Sequence, residues 1–184
     1  MDKIIVINGK GGIGKDTLIE ALKNAAPHYI HVSNVSSITP IVQAVDSTGI
    51  VKNGKTNAYR KLLSDMKAAI DEYYRAEEGI AYTTDYLNKK IIQWERLCEF
   101  GKASHHVLFV HIREPEMIQT FVTVHPDATT LLVKSDRAQE EYGNPADDWV
   151  ESFKYNYIFE ANGTKEEEAA AFCSLIEKML KEEN

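Results

Sequence analysis

The chain has few cysteines, no long apolar run and no excess of basic residues. Its two cysteines, Cys98 and Cys173, lie far apart with no Cys-x-x-Cys or Cys/His ligand spacing, which argues against a disulfide framework or a zinc site. Free thiols buried in the interior are expected instead. No segment approaches the about 18 consecutive apolar residues of a membrane span, and the amino terminus lacks an apolar stretch followed by a small-residue cleavage site. A cytosolic (cytoplasmic) protein with no membrane partner is therefore expected. Lysine and arginine number 21 against 28 acidic residues, for a net charge of −7. That balance excludes a broad basic face for a nucleic-acid polymer, so any phosphate must be held by local cations.

Against this background one segment stands out. Residues 9 to 17 read Gly-Lys-Gly-Gly-Ile-Gly-Lys-Asp-Thr, between the apolar run Lys3 to Asn8 and the helix-like Leu18 to Lys23. A glycine-rich turn between strand and helix lets backbone N–H groups converge on an anion, and the helix N-terminus adds the positive end of its dipole. Gly9, Gly14 and Lys15 hold the GxxxxGK[ST] positions, with Asp16 where a hydroxyl residue is usual and Thr17 one place later. Gly11, Gly12 and Ile13 complete the loop. A nucleotide site follows, with Lys15 balancing charge at the β- and γ-phosphates of the nucleotide. Asp16 supplies a carboxylate oxygen to Mg²⁺, directly or through water, and Thr17 faces the α-phosphate.

Five short apolar runs read as buried parallel strands: Lys3 to Asn8, Tyr29 to Ser33, Val107 to Arg113, Thr129 to Lys134 and Tyr155 to Glu160. Helical patterns alternate with them, which predicts an α/β domain with a parallel sheet. The first helix is expected from Lys15 to Ala25, ended by Pro27. Residues 36 to 102 hold no comparable strand run and read as a helical insertion broken at Gly49, Asn53-Gly54 and Gly79. Tyr59, Leu62, Leu63, Met66, Ala69, Ile70 and Tyr73 form one apolar stripe there, and Tyr86, Leu87, Ile91, Trp94 and Leu97 a second. Both stripes are expected to face the core. Tyr59, Tyr73 and Tyr74 are also candidates to stack a base. Glu114-Pro115 suits a helix start, Ser135 to Glu151 a polar surface flap, and Glu166 to Glu183 a closing amphipathic helix. The expected organisation is a single domain over 1–184, with a core of 1–35 and 103–184, an insertion at 36–102 and a lid at about 135–151.

Lys10 opens a second reading, because Lys-Gly-Gly-x-Gly-Lys resembles the variant loop of partition and cell-division-site ATPases, whose extra lysine acts across a dimer. Those proteins follow it with Ser or Thr and carry switch aspartates after later strands. Here Asp16 follows the lysine, and no Asp-x-Pro segment closes a strand. Lys10 therefore reads as a solvent-facing loop residue or an assistant in phosphate binding.

Gly14-Lys15-Asp16-Thr17 resembles the phage-type deoxynucleoside monophosphate kinases, and its Gly-Lys-Asp also resembles animal-type phosphomevalonate kinases. Both are nucleoside-monophosphate-kinase-like P-loop proteins. Val110 to Arg113 followed by Glu114 to Phe121 resembles their strand ending in Asp-x-Arg and its helix. Tyr155 to Thr164 resembles their last strand and Asn-x-Gly loop, which brings in Asn162. Val35 to Gln43, with Arg60 to Asp65, resembles the acceptor region of bacterial and phage members. The resemblance implies a three-layer P-loop NTPase fold with a sheet ordered 2-3-1-4-5, ATP over the loop, a helical acceptor region and a lid.

It further implies an ATP- and Mg²⁺-dependent kinase acting on a small phosphorylated acceptor, a (deoxy)nucleoside monophosphate first and phosphomevalonate as the alternative. Arg113 at a strand end is the candidate phosphate contact. Ser36 and Arg60 are candidates for the acceptor, and Arg137 and Lys134 for the lid. The strand aspartate that helps hold the Mg²⁺ water shell aligns with His111, a poor Mg²⁺ ligand. Metal retention then leans on Asp16, or His111 is a hydrogen-bonded strand histidine without a catalytic role. His105 and His106 are expected ahead of the strand, far from the chemistry. A regulatory ATPase and a nucleotide-binding module without turnover stand as the competing functions.

Overall fold

A computed structural model describes residues 2–49, 56–136 and 149–182. Five parallel strands, β1 (Asp2–Asn8), β2 (Ile30–Ser36), β3 (His105–His111), β4 (Thr129–Lys134) and β5 (Tyr157–Glu160), form one sheet in the order β2-β3-β1-β4-β5. That is the expected 2-3-1-4-5 order. The helices are α1 (Lys15–Ala25), α2 (Thr39–Ser47), α3 (Asn57–Glu78), α4 (Tyr82–Phe100), α5 (Pro115–Val124) and α6 (Lys165–Lys181).

Alternation along each strand sorts the side chains into two layers. Ile5, Ile7, Phe109 and Val133 face α1 and α6, where Leu18, Leu22, Phe172 and Ile176 cover them. Val6, Leu108 and Val110 face the other way, against Leu87, Ile91 and Trp94 of α4 and Ile118 and Phe121 of α5. The helical stretch from 36 to 102 therefore contains two kinds of helix. α4 is a layer of the sheet, whereas α2 and α3 bury a smaller cluster around Ile41, Val45 and Leu63.

Strand limits differ from the expected ones for identifiable reasons. β2 runs on through the polar Ser33, Asn34 and Ser36 because β3 pairs with it residue for residue, from Ile30 with His105 to Ser36 with His111. His105 and His106 consequently open β3 rather than precede it, and β3 stops at His111, two residues short of Arg113. β5 starts late because Asn156 leaves the backbone ladder: its side-chain oxygen accepts from both the N–H and the hydroxyl of Thr130, each at 2.8 Å. α5 has Pro115 in its first turn, and α6 starts behind a Thr164–Glu167 capping box, so both predicted helix starts are present. The turn expected at Asn53-Gly54 lies outside the described residues.

Cys98 and Cys173 are free and half-buried rather than fully buried. The fold brings Cys98 beside Asp2 and His106, with one ligand atom of each within 4.8 Å of the others, a proximity that sequence spacing conceals. His106 Nδ1 lies 2.8 Å from the Asp2 carboxylate, while Nε2 is buried without a hydrogen-bond partner. A metal at Nδ1 would leave the Nε2 proton without an acceptor, whereas the hydrogen bond to Asp2 leaves only a lone pair there.

Candidate active site

The loop from Gly9 to Gly14 turns the chain from β1 into α1, and three of its glycines occupy left-handed backbone: Gly9 at φ 146°, Gly12 at 79° and Gly14 at 91°. Gly9 has a second constraint. A Cβ there would lie 2.5 Å from the carbonyl oxygen of Val133 on β4, so loop and sheet meet with no room for a side chain. Gly14 is the N-cap of α1 and Lys15 its first residue. The Lys15 ammonium turns back over the loop, donating to the carbonyls of Gly9 at 2.6 Å and Lys10 at 2.8 Å. A bound phosphate would compete for the same ammonium.

Asp16 and Thr17 follow in the first turn of α1, both exposed. Across from them, at the end of β3, His111 is mostly buried and its Nε2 lies 3.8 Å from the Asp16 carboxylate. Burial is the main cause that takes the imidazole down to about 4; the Lys15 and Arg113 charges push the same way and Asp16 opposes them. The ring is therefore neutral at pH 7. Its Nε2 has no hydrogen-bond partner among the described residues.

One cleft of about 950 Å³ runs from this loop along the carboxyl ends of β1, β2 and β3 to α3 and α4. Gly12, Gly14, Lys15, Asp16 and Thr17 line its loop end, and Ser36, Arg60 and Arg113 line the rest, so most of the expected site residues share one cavity. The position agrees with the general rule for open parallel sheets. Among the described residues, five cations face this cleft, Lys15, Arg60, Lys67, Lys90 and Arg113, against two carboxylates, Asp16 and Glu114. In a chain of net charge −7, that concentrates positive potential on one concave surface. Glu114 is itself engaged by Lys67 at 3.1 Å.

The remaining candidates lie elsewhere. Lys10 and Ile13 line a second cavity of about 410 Å³ on the β4 side of the loop, with Lys134, Asp136 and Glu151. Lys134 is held by Glu151 at 2.6 Å. Asn162 is outside both linings; its amide brackets Asp136, accepting from the backbone N–H at 2.8 Å and donating to the carboxylate at 3.0 Å. It thus reaches the second cavity through Asp136. Arg137 and most of the expected lid, 137–148, lie outside the described residues.

The tyrosines considered for stacking a base are not on the cleft. Tyr59 donates to Asp46 at 2.9 Å, Tyr74 to Asp85 at 3.0 Å, and Tyr73 is exposed. Tyr86 and Trp94, expected only as core, supply the aromatic surface instead. Trp94 serves both roles, buried against the sheet and presenting an edge to the cavity. Asn8, Lys67 and Lys90 also line the cleft without any motif to announce them.

Parallel strands in this order, a glycine-rich loop before the first helix, and a cleft with several cations beyond the strand ends define an α/β domain of the P-loop fold. No protein-family profile matches the chain, and no curated protein matches it. Among solved structures it is similar over nearly its whole length to shikimate kinase from Bacteroides thetaiotaomicron, at 13% identity over 97% of this chain and 98% of that one, with a TM-score of 0.45. Shikimate kinase from Aquifex aeolicus gives 15% identity over 98% and 99%, with a TM-score of 0.42. Among the described residues, no helix is long and apolar enough to cross a membrane.

Proposed function

We propose that the protein is a kinase that moves the γ-phosphoryl group of ATP onto the ionised phosphate of a small acceptor, a nucleoside monophosphate being the preferred class. The observation that carries this reading is the single cleft joining the phosphate loop to Arg60, Arg113 and the Tyr86 and Trp94 surface. A hydroxyl acceptor calls for a base near its oxygen. Among the described residues, the one carboxylate on the lining at the acceptor end is Glu114, already engaged by Lys67. An acceptor that arrives as a phosphate anion needs cations instead of a base, and the lining supplies them. The Tyr86 ring offers apolar area for a base, with Trp94 packed at the floor beside it.

ATP and Mg²⁺ suit the residues present. The loop backbone and the α1 N-terminus would cradle the phosphates, Lys15 would leave its carbonyl partners for them, and the exposed Asp16 carboxylate suits a hard cation. The ion would supply charge neutralisation between the β- and γ-phosphates. The neutral His111 would leave Asp16 as the protein's carboxylate nearest that ion. Arg113 and Arg60 would hold the acceptor phosphate in line, so that positioning and electrostatics carry the reaction.

The test is a coupled ADP assay with Mg-ATP and a panel of nucleoside monophosphates, phosphomevalonate and shikimate. ADP formation is expected only with a phosphate-bearing acceptor and is expected to vanish in Lys15→Ala. ADP production at full rate without an acceptor, or only with shikimate, overturns the reading.

A further inference from the structure

Asn8, the last residue of β1, is 1% exposed and uses its whole side-chain amide. Its Oδ1 accepts the N–H of Gly9 at 2.8 Å, fixing the first residue of the phosphate loop. Its Nδ2 donates in two directions, to the Arg113 carbonyl at 3.0 Å and to the Tyr155 hydroxyl at 2.7 Å. The Tyr155 hydroxyl passes its own proton on, donating to the Val150 carbonyl at 2.7 Å. Each group in this chain meets the partner that its chemistry requires, and burial makes any mismatch costly. Phe153 stacks edge to face on the Tyr155 ring at 5.1 Å and helps fix it.

We propose that Asn8 and Tyr155 are a positioning pair, resting on the kinase reading above, that registers the Arg113 segment against the phosphate loop. Neither side chain needs to touch a substrate for this. The loop sets where the γ-phosphate sits, and Arg113 is on the lining that would hold the acceptor. One amide bonded to both fixes the distance between the two substrates. Tyr155, whose own proton goes to Val150, offers the amide only a lone pair, so a flip would set Oδ1 against that lone pair and the Arg113 carbonyl, and Nδ2 against the Gly9 N–H. The junction lies between the two cavities, with Asn8 on the lining of the larger and Val150 on that of the smaller.

Asn8→Asp separates positioning from general structure. It is isosteric and retains an acceptor for the Gly9 N–H, but it sets a carboxylate oxygen against the Arg113 carbonyl. In the coupled assay with Mg-ATP and the best monophosphate of the panel, kcat is expected to fall about a hundredfold, the scale of an ångström-sized misplacement. ATP affinity by calorimetry is expected to stay within about threefold of wild type in Tyr155→Phe, which adds no charge beside the phosphate loop. Tyr155→Phe, the gentler variant, is expected to lose about tenfold in kcat, and the double variant no more than Asn8→Asp alone, since both act through one amide. A kcat within twofold of wild type in both single variants overturns the pair, and so does a parallel loss of ATP affinity and turnover in Tyr155→Phe, the mark of a structural role.

A second measurement stands apart from turnover. In ¹⁵N-labelled protein titrated with inorganic pyrophosphate, the Gly9 amide is expected to respond in both wild type and Asn8→Asp, while the Arg113 Nε–H signal is displaced in the variant. An unmoved Arg113 signal overturns the pair. A wild type that makes no ADP with any acceptor overturns the kinase reading alone, and the resonances then decide the positioning role.

Discussion

His111 Nε2 and Asp16 Oδ1 face each other at 3.8 Å across the loop end of the cleft, too far apart for a hydrogen bond. A neutral imidazole therefore stands beside the carboxylate proposed for the metal. Asp16→Asn is expected to raise the Mg²⁺ concentration for half-maximal ADP formation by tenfold or more, about 1.4 kcal/mol of lost charge interaction. His111→Asp is expected to lower it by bringing a second carboxylate to the same point. Mg²⁺ dependence unchanged in both variants would remove Asp16 from the metal site.

Arg60 enters the cleft from α3 and Arg113 from the segment after β3, so their losses should read differently. Arg60→Ala, at the acceptor end, is expected to raise the acceptor KM tenfold to a hundredfold with ATP affinity unchanged, the range of about 1.5–3 kcal/mol for a charge-assisted hydrogen bond. Arg113→Ala is expected to lower kcat as well, because it stands nearer the loop. Equal effects of both on ATP binding alone would place the acceptor elsewhere.

The parts of this architecture legible in the sequence are those that depend on neighbours in the chain. Gly9 to Thr17 announced the loop, and strand and helix alternation announced the sheet, because turn chemistry and periodicity are local. α1 has the expected limits, Lys15–Ala25. Where a residue's role comes from a partner far along the chain, no pattern marks it. Asn8 and Tyr155 are 147 positions apart, and Asn8 reads simply as the end of an apolar run. Tyr86 and Trp94 sit on a core stripe, and helical spacing alone cannot tell which edge of such a stripe meets a cavity. The extension of β2 through Asn34 to Ser36 was hidden because an edge strand needs only one paired side and tolerates polar residues.

Asp71 of α3 caps α4 from outside. Buried at 7% exposure, its carboxylate accepts from the backbone N–H and the hydroxyl of Thr83, both at 2.8 Å. The N-cap of α4 is Ala81, which makes no side-chain cap hydrogen bond, so Asp71 does that work. Lys67 lies 3.6 Å from the same carboxylate and 3.1 Å from Glu114, linking this corner to the cleft. Asp71→Ala is expected to cost about 2–3 kcal/mol in urea unfolding, since it strands buried donors of Thr83. Asp71→Asn, which keeps an acceptor, is expected to cost less. Equal stability of Asp71→Ala and wild type would show that the two helices are fixed by their apolar contacts alone.

Cys98 allows burial and charge to be separated. Its thiol is pushed up to about 11, chiefly by burial and then by the nearby Asp2 and Glu95 carboxylates. Because the thiolate is the reactive form, alkylation by iodoacetamide at pH 8 is expected to run about a hundredfold slower than at an ordinary cysteine, and to climb about tenfold per pH unit until near 11. Burial also raises Cys173, with Glu177 as the nearby charge. Asp2→Asn removes one charge beside Cys98 and none of those at Cys173, so peptide-resolved mass spectrometry should show Cys98 alone accelerating. A Cys98 that reacts at the ordinary rate at pH 8 would mean that the corner formed by Asp2, His106 and α4 opens to solvent faster than the reagent attacks. A Cys98 rate unchanged by Asp2→Asn would leave burial and Glu95 as the causes.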